Sequence, residues 1–153
     1  MTIVHHPIAV ICTFTWVGFV GAISFLEAWL KFRAPGVTLP IGLGIGRLVF
    51  GALNKVELLL AAAIVIDLLR TKPAFAQWLW IGIPVALLLL QTFWLLPALD
   101  ARAAAVLRDG SAPPSQLHFV YVAFEVVKVA ALVVSGVGLF VRNAGPILHA
   151  ELK

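Results

Sequence analysis

Four apolar stretches, each long enough to cross a bilayer, govern what this chain can fold into. They cover residues about 8–30, 45–69, 77–96 and 117–141. A helix needs about 20 mostly apolar residues to cross a hydrocarbon core of about 30 Å. Together the stretches take up well over half of the 153 residues, so residues 1–153 read as a single four-span membrane domain. Backbone groups in lipid must be satisfied within each segment or in a closed barrel. Barrel strands are short and alternate apolar with polar residues. Here the runs are continuous and rich in Ala and Leu, as at 58–69 and 85–90. The expected fold class is therefore all-α, a polytopic four-transmembrane-helix bundle.

Composition closes the other routes. The chain is 62% hydrophobic and 12% charged, with a mean hydropathy of +1.06. Soluble domains carry roughly 25% charged residues, and a globule of this size leaves too much surface to hide such a sequence in water. Disordered chains lack the Val, Ile, Leu and Phe that fill this one. The first thirty residues contain no Lys or Arg, which argues against a cleaved signal peptide and for a retained first span. Cys12 is the only cysteine, so no intrachain disulfide can form.

The connections carry their own signals. Residues 31–40 (KFRAPGVTLP) read as a tight extended turn, and 70–73 (RTKP) as a hairpin. The link after Leu96 is expected to hold a short interfacial helix at 100–108 (DARAAAVLR) before a loop. Pro84 lies inside the third span, where a kink is expected. Trp29, Trp78, Trp80 and Trp94 sit near span ends, as aromatic belts do. Gly42, Gly44 and Gly46 follow no strand, so close helix approach explains them better than phosphate binding.

Orientation is barely encoded. Arg70, Lys72, Arg142 and Lys153 lie on the side of the termini, against Lys31, Arg33, Arg47, Arg102 and Arg108 opposite. That balance leans only slightly towards termini outside. The net charge of +4 flanks spans on both sides, which is no pattern for nucleic acid. The expected partner is the lipid bilayer, with a homo-oligomer or a larger membrane complex as a further expectation. His5, His6 and His149 share one side, but terminal segments make poor metal sites. No metal site is expected, and no cofactor is implied.

The informative residues are polar ones inside the spans: Glu27, Asn54, Lys55, Glu57, Gln91, Glu125 and Lys128. Each ionisable group there costs about 2.5–3.5 kcal/mol and usually faces a bundle interior or a wet cavity. At helical spacing, His118, Tyr121, Glu125, Lys128 and Ser135 fall within about 100° of the fourth span. Thr13, Ser24, Glu27 and Lys31 share an arc of the first, and Arg47, Gly51, Asn54 and Ala61 a face of the second. Glu57 stands on the shoulder of that face, and Lys55 points roughly 160° away from it. Converging stripes would make a polar funnel, open opposite the termini and closed by apolar residues beyond. Asn54, Glu57, Tyr121, Glu125 and Lys128 are the expected ligand-binding residues, with Glu27, Arg47 and His118 secondary. Glu57 with Lys128 is the expected cross-helix ion pair. Glu125 with Lys128 and Glu27 with Lys31 can pair within their helices. Buried ion pairs that merely fix helix packing are the competing reading.

The order of features resembles a known group. Trp16-x-Gly18-Phe19-Val20-Gly21 leads to Lys31-Phe32-Arg33, and Arg47-Leu48-Val49-Phe50 opens the second span. Leu96-Pro97 is followed by Asp100-x-Arg102-Ala103-Ala104-Ala105, and His118 starts the fourth. This resembles the uncharacterised four-span domain of bacterial inner-membrane proteins and of a eukaryotic transmembrane protein associated with platinum-drug resistance. The resemblance implies four helices in one inner-membrane domain and supplies no catalytic residue. Three functions stay open: binding or permeation of a small polar or ionic solute, coupled to protons; a non-catalytic accessory subunit; or an intramembrane enzyme acting on a lipid, sterol or quinone.

Overall fold

The computed structural model describes residues 6–71, 73–110 and 114–141. Among these residues there is no strand, and four long helices account for nearly all of them. They are α1 (Pro7–Arg33), α2 (Leu39–Thr71), α3 (Phe75–Asp109) and α4 (Leu117–Val141). All four are long and apolar enough to cross a membrane, with mean hydropathy of 2.0 in their most apolar windows. The chain is an all-α four-helix bundle, as its apolar spans require.

Side chains such as Leu48, Leu59, Phe93 and Phe119 are exposed on the outer faces, where lipid is the natural neighbour. Helix α1 packs against α2 and α4, α3 packs along α4, and the second half of α3 leans on α2. The bundle is therefore four-cornered, with α1 facing α3 and α2 facing α4 across its diagonals.

Its interior is layered. Towards the termini lies an apolar core that includes Ala9, Val10, Ile64, Leu68, Ile81, Leu132 and Leu139. Above it lies a band of buried charge, and beyond that a cavity at the end opposite the termini.

Helix ends are set by local chemistry. Pro7 stands at the start of α1, where its missing N–H costs nothing. Another free donor of that turn, the Ala9 N–H, is capped from another helix: it donates to Asp67 Oδ2 at 2.9 Å. Between α1 and α2 the chain reverses at Gly36, whose φ of 80° needs a glycine. Gly110, at φ 75°, ends α3 with its N–H on the Val106 carbonyl. Two of the three glycines at the start of α2 make room for side chains of α1, whereas a Cβ on Gly44 would meet nothing within 4 Å. A Cβ on Gly42 would run into the Phe32 ring, and one on Gly46 would stand 3.1 Å from Lys31 Nζ.

One expectation needs correction. The third span does not end at Leu96 with a separate interfacial helix beyond, because α3 runs unbroken from Phe75 to Asp109. A wide π turn at Gln91–Leu95 makes this possible, with the Leu96 N–H bonded back to the Gln91 carbonyl. Pro97 comes directly after it. A proline cannot donate to the helical ladder, and the wide turn falls where that ladder would lose a bond in any case. The helix also continues through Pro84, which is buried within it. A second π segment, Gly21–Glu27, interrupts α1. Such turns often mark functional positions.

Candidate functional site

The charged band is built by all four helices. Lys128 on α4 is fully buried and reaches two carboxylates: Glu57 Oε1 on α2 at 2.5 Å and Glu125 Oε1 at 2.9 Å. It also donates to Gln91 Oε1 on α3 at 2.7 Å, so its three N–H groups are all used. Gln91 in turn donates through Nε2 to Glu125 Oε1 at 2.6 Å. From α1, the Trp16 indole N–H donates to Glu57 Oε1 at 2.7 Å. Trp16, Glu57, Gln91, Glu125 and Lys128 are each at most 2% exposed.

The expected pair of Glu57 with Lys128 is thus present and spans the α2–α4 diagonal, as is the pair of Glu125 with Lys128. Glu27 pairs with Lys31 at 3.2 Å, nearer the surface.

A cavity of about 590 Å³ occupies the end opposite the termini, beyond this band. Asn54, Lys55 and Thr92 line it, with Phe50 and Tyr121 beside them. Asn54 Nδ2 donates to Thr92 Oγ1 at 2.9 Å, joining α2 to α3. Thr92 itself donates to the Leu88 carbonyl one turn back, at 2.7 Å. At the mouth Arg47 grips Asp100 through two guanidinium nitrogens. His118 also borders the cavity, where it is exposed.

The single funnel expected from the sequence is therefore two compartments. Asn54, Tyr121, Arg47 and His118 line the cavity, whereas Glu57, Glu125 and Lys128 do not. Tyr121 is the divider: it is buried, stacks edge-on against Phe50 at 5.2 Å, and lies one turn from Glu125. Its hydroxyl is 3.4 Å from that of Ser24, in the π segment of α1. The separation is one of packing: Glu57, Glu125 and Lys128 are at most 2% exposed, whereas Tyr121, a turn away, reaches the cavity lining.

Polar atoms also continue past the charged band. Glu125 Oε2, Thr13 Oγ1, Ser135 Oγ and Gln77 Oε1 are buried without a hydrogen-bond partner. Polar atoms of this kind are the usual seats of internal water.

Sequence reasoning leaves out Trp16, although its position falls within the polar arc of α1. Gln91 is visible as a polar residue in an apolar span, but nothing in the sequence joins it to the charged set. Asp67 is not recognisable there as a cap. Of the terminal histidines, His6 Nδ1 lies 2.7 Å from Thr71 Oγ1, while His5 and His149 lie outside the described residues. Among the described residues no cluster of three metal-ligating side chains occurs.

The fold and its interior define a class: an integral membrane protein of four helices with a charged network sealed inside. Neither a family model nor a curated protein nor a solved structure matches the chain.

Proposed function

We propose that this protein binds or permeates a small polar or ionic solute in the cavity bounded by Asn54 and Tyr121, coupled to a proton held at Glu57, Glu125 and Lys128. The observation that carries this reading is the charge count of the buried band. Two carboxylates share one ammonium, and Glu125 Oε2 has no partner. An uncompensated charge in a low-dielectric interior is costly. One proton or one small cation completes the balance, and Lys128 already occupies the space between the acids, which favours the proton.

Placement supports the coupling. Tyr121 touches the cavity on one side and stands a helical turn from Glu125 on the other. Displacing its ring would connect solute and proton sites. The bacterial inner membrane is the compartment we assign, on the resemblance of the span motifs. Acid–base chemistry on a lipid or quinone is the weaker reading, because the cavity lining includes neither carboxylate.

The test is proton movement in proteoliposomes under an imposed pH difference. Wild-type protein should carry protons, and Glu57→Gln and Glu125→Gln should each abolish the flux. Equal flux in wild type and both variants would remove the proposal.

A further inference from the structure

The cavity carries an imbalance that points to its ligand. Its lining contains three cationic side chains, Lys31, Arg47 and Lys55, against one carboxylate, Asp100. Arg47 is neutralised by Asp100, and Lys31 by Glu27, which stands outside the lining. Lys55 has no ion pair among the described residues. It sits at the midpoint of α2, sixteen residues from Leu39 and sixteen from Thr71. Its side chain is exposed where it borders the cavity, and a cation within a membrane-spanning segment is expensive unless it finds water or an opposite charge. The remaining walls are mainly apolar and include Phe50, Leu96 and Pro97.

We infer that the cavity takes an amphiphilic monoanion, with a carboxylate or phosphate head on Lys55 and an apolar body against Phe50 and Leu96. The volume of about 590 Å³ falls within the roughly 300–1,000 Å³ typical of small-molecule sites. This rests on reading the cavity as the solute's chamber, and it names the chemical class of that solute. It does not depend on the proton site behind Tyr121. Two sources share this chemistry: a free single-chain acid, and the headgroup end of an anionic membrane lipid.

Equilibrium binding separates the cases without any flux measurement. Purified protein in phosphatidylcholine nanodiscs is titrated with dansyl-undecanoic acid and with its neutral methyl ester. The acid should bind saturably with one site per chain, and the ester at least about tenfold more weakly, as loss of a charge-assisted contact implies. Lys55→Gln should weaken the acid by a similar factor and leave the ester unchanged. A Cβ on Gly51 meets no atom within 4 Å, so Gly51→Leu should fill the cavity and reduce binding of both probes.

Displacement by octanoate assigns the site to a free acid. Displacement by added phosphatidylglycerol, with octanoate inert, assigns it to a lipid headgroup; either result supports the inference. Equal binding of acid and ester overturns it, and so does unaltered acid binding by Lys55→Gln or failure of both competitors. The ester comparison uses wild-type protein only, so it stands even if Gly51→Leu does not fold.

Discussion

Lys128 on α4 meets Glu57 on α2 at 2.5 Å although the two helices occupy opposite corners of the bundle. The ammonium therefore bridges the bundle axis and does not simply staple neighbouring helices. Its remaining N–H groups donate to Glu125 on the same helix and to Gln91 on α3, while the Trp16 indole N–H donates to the same Glu57 oxygen that Lys128 reaches.

Removing that cation should be the most damaging single change in the interior. Lys128→Met leaves Glu57 and Glu125 facing each other without a counter-charge, and breaking a buried pair in this way costs about 3–5 kcal/mol. Reversible unfolding in mixed micelles should show the loss. The triple variant Lys128→Met, Glu57→Gln, Glu125→Gln should recover much of it. If the triple variant is no more stable than Lys128→Met alone, charge is not the origin of the effect.

Trp16 combines packing with one hydrogen bond, and the two can be separated. Trp16→Phe keeps an aromatic ring but leaves Glu57 Oε1 one donor short, for an expected loss of about 1–3 kcal/mol. Adding Glu57→Leu should make the Trp16→Phe change nearly neutral. A double-mutant cycle on thermal unfolding gives the coupling, and a coupling near zero would show that only packing matters.

The first turn of α1 depends on a cap supplied by α2. Asp67→Ala removes the acceptor of the Ala9 N–H and should cost about 0.5–2 kcal/mol, the range for lost caps. Faster hydrogen exchange at Ala9 and Val10 should accompany it, while the middle of α1 remains protected. Asp67→Asn, which keeps an oxygen acceptor, should exchange more slowly than Asp67→Ala.

Glycines that look alike in sequence should respond in opposite ways. A Cβ on Gly136 would lie 2.9 Å from the Phe14 ring and 3.2 Å from Thr13 Cγ2, whereas one on Gly18 meets nothing within 4 Å. Gly136→Leu should force α1 and α4 apart at a cost of about 1–3 kcal/mol, as overpacking does. Gly18→Leu should leave unfolding almost unchanged. Equal effects would mean that the α1–α4 contact is looser than its geometry.

The legible part of this protein is what hydropathy and helical angles encode. Long apolar runs set the number of helices. The common arc of Tyr121, Glu125 and Lys128 on α4 places them inside, and opposite charge then selects Glu57 as partner. Subtler signals carry the rest. Gln91 bears no charge and opens a π turn, so regular 100° steps misplace the residues beyond it. Pro97 reads as a stop signal, yet a proline just after a wide turn is easily accommodated, and α3 continues far enough to bring Asp100 to Arg47. Trp16 is one of five tryptophans, and only contact shows that its indole N–H serves a carboxylate. The sealing of the charged band by Tyr121 is a matter of volume, which stripe arithmetic does not contain.

The central claim is that the two acids and Lys128 hold one proton between them. Infrared difference spectroscopy of the purified protein near neutral pH tests it through the carboxylic-acid C=O stretch, identified by its shift in D2O. Wild-type protein should show one such band. Either Glu57→Gln or Glu125→Gln should lose it, because one carboxylate then faces one ammonium and both are ionised. No band in the wild type, or a band that survives in both variants, would contradict the account.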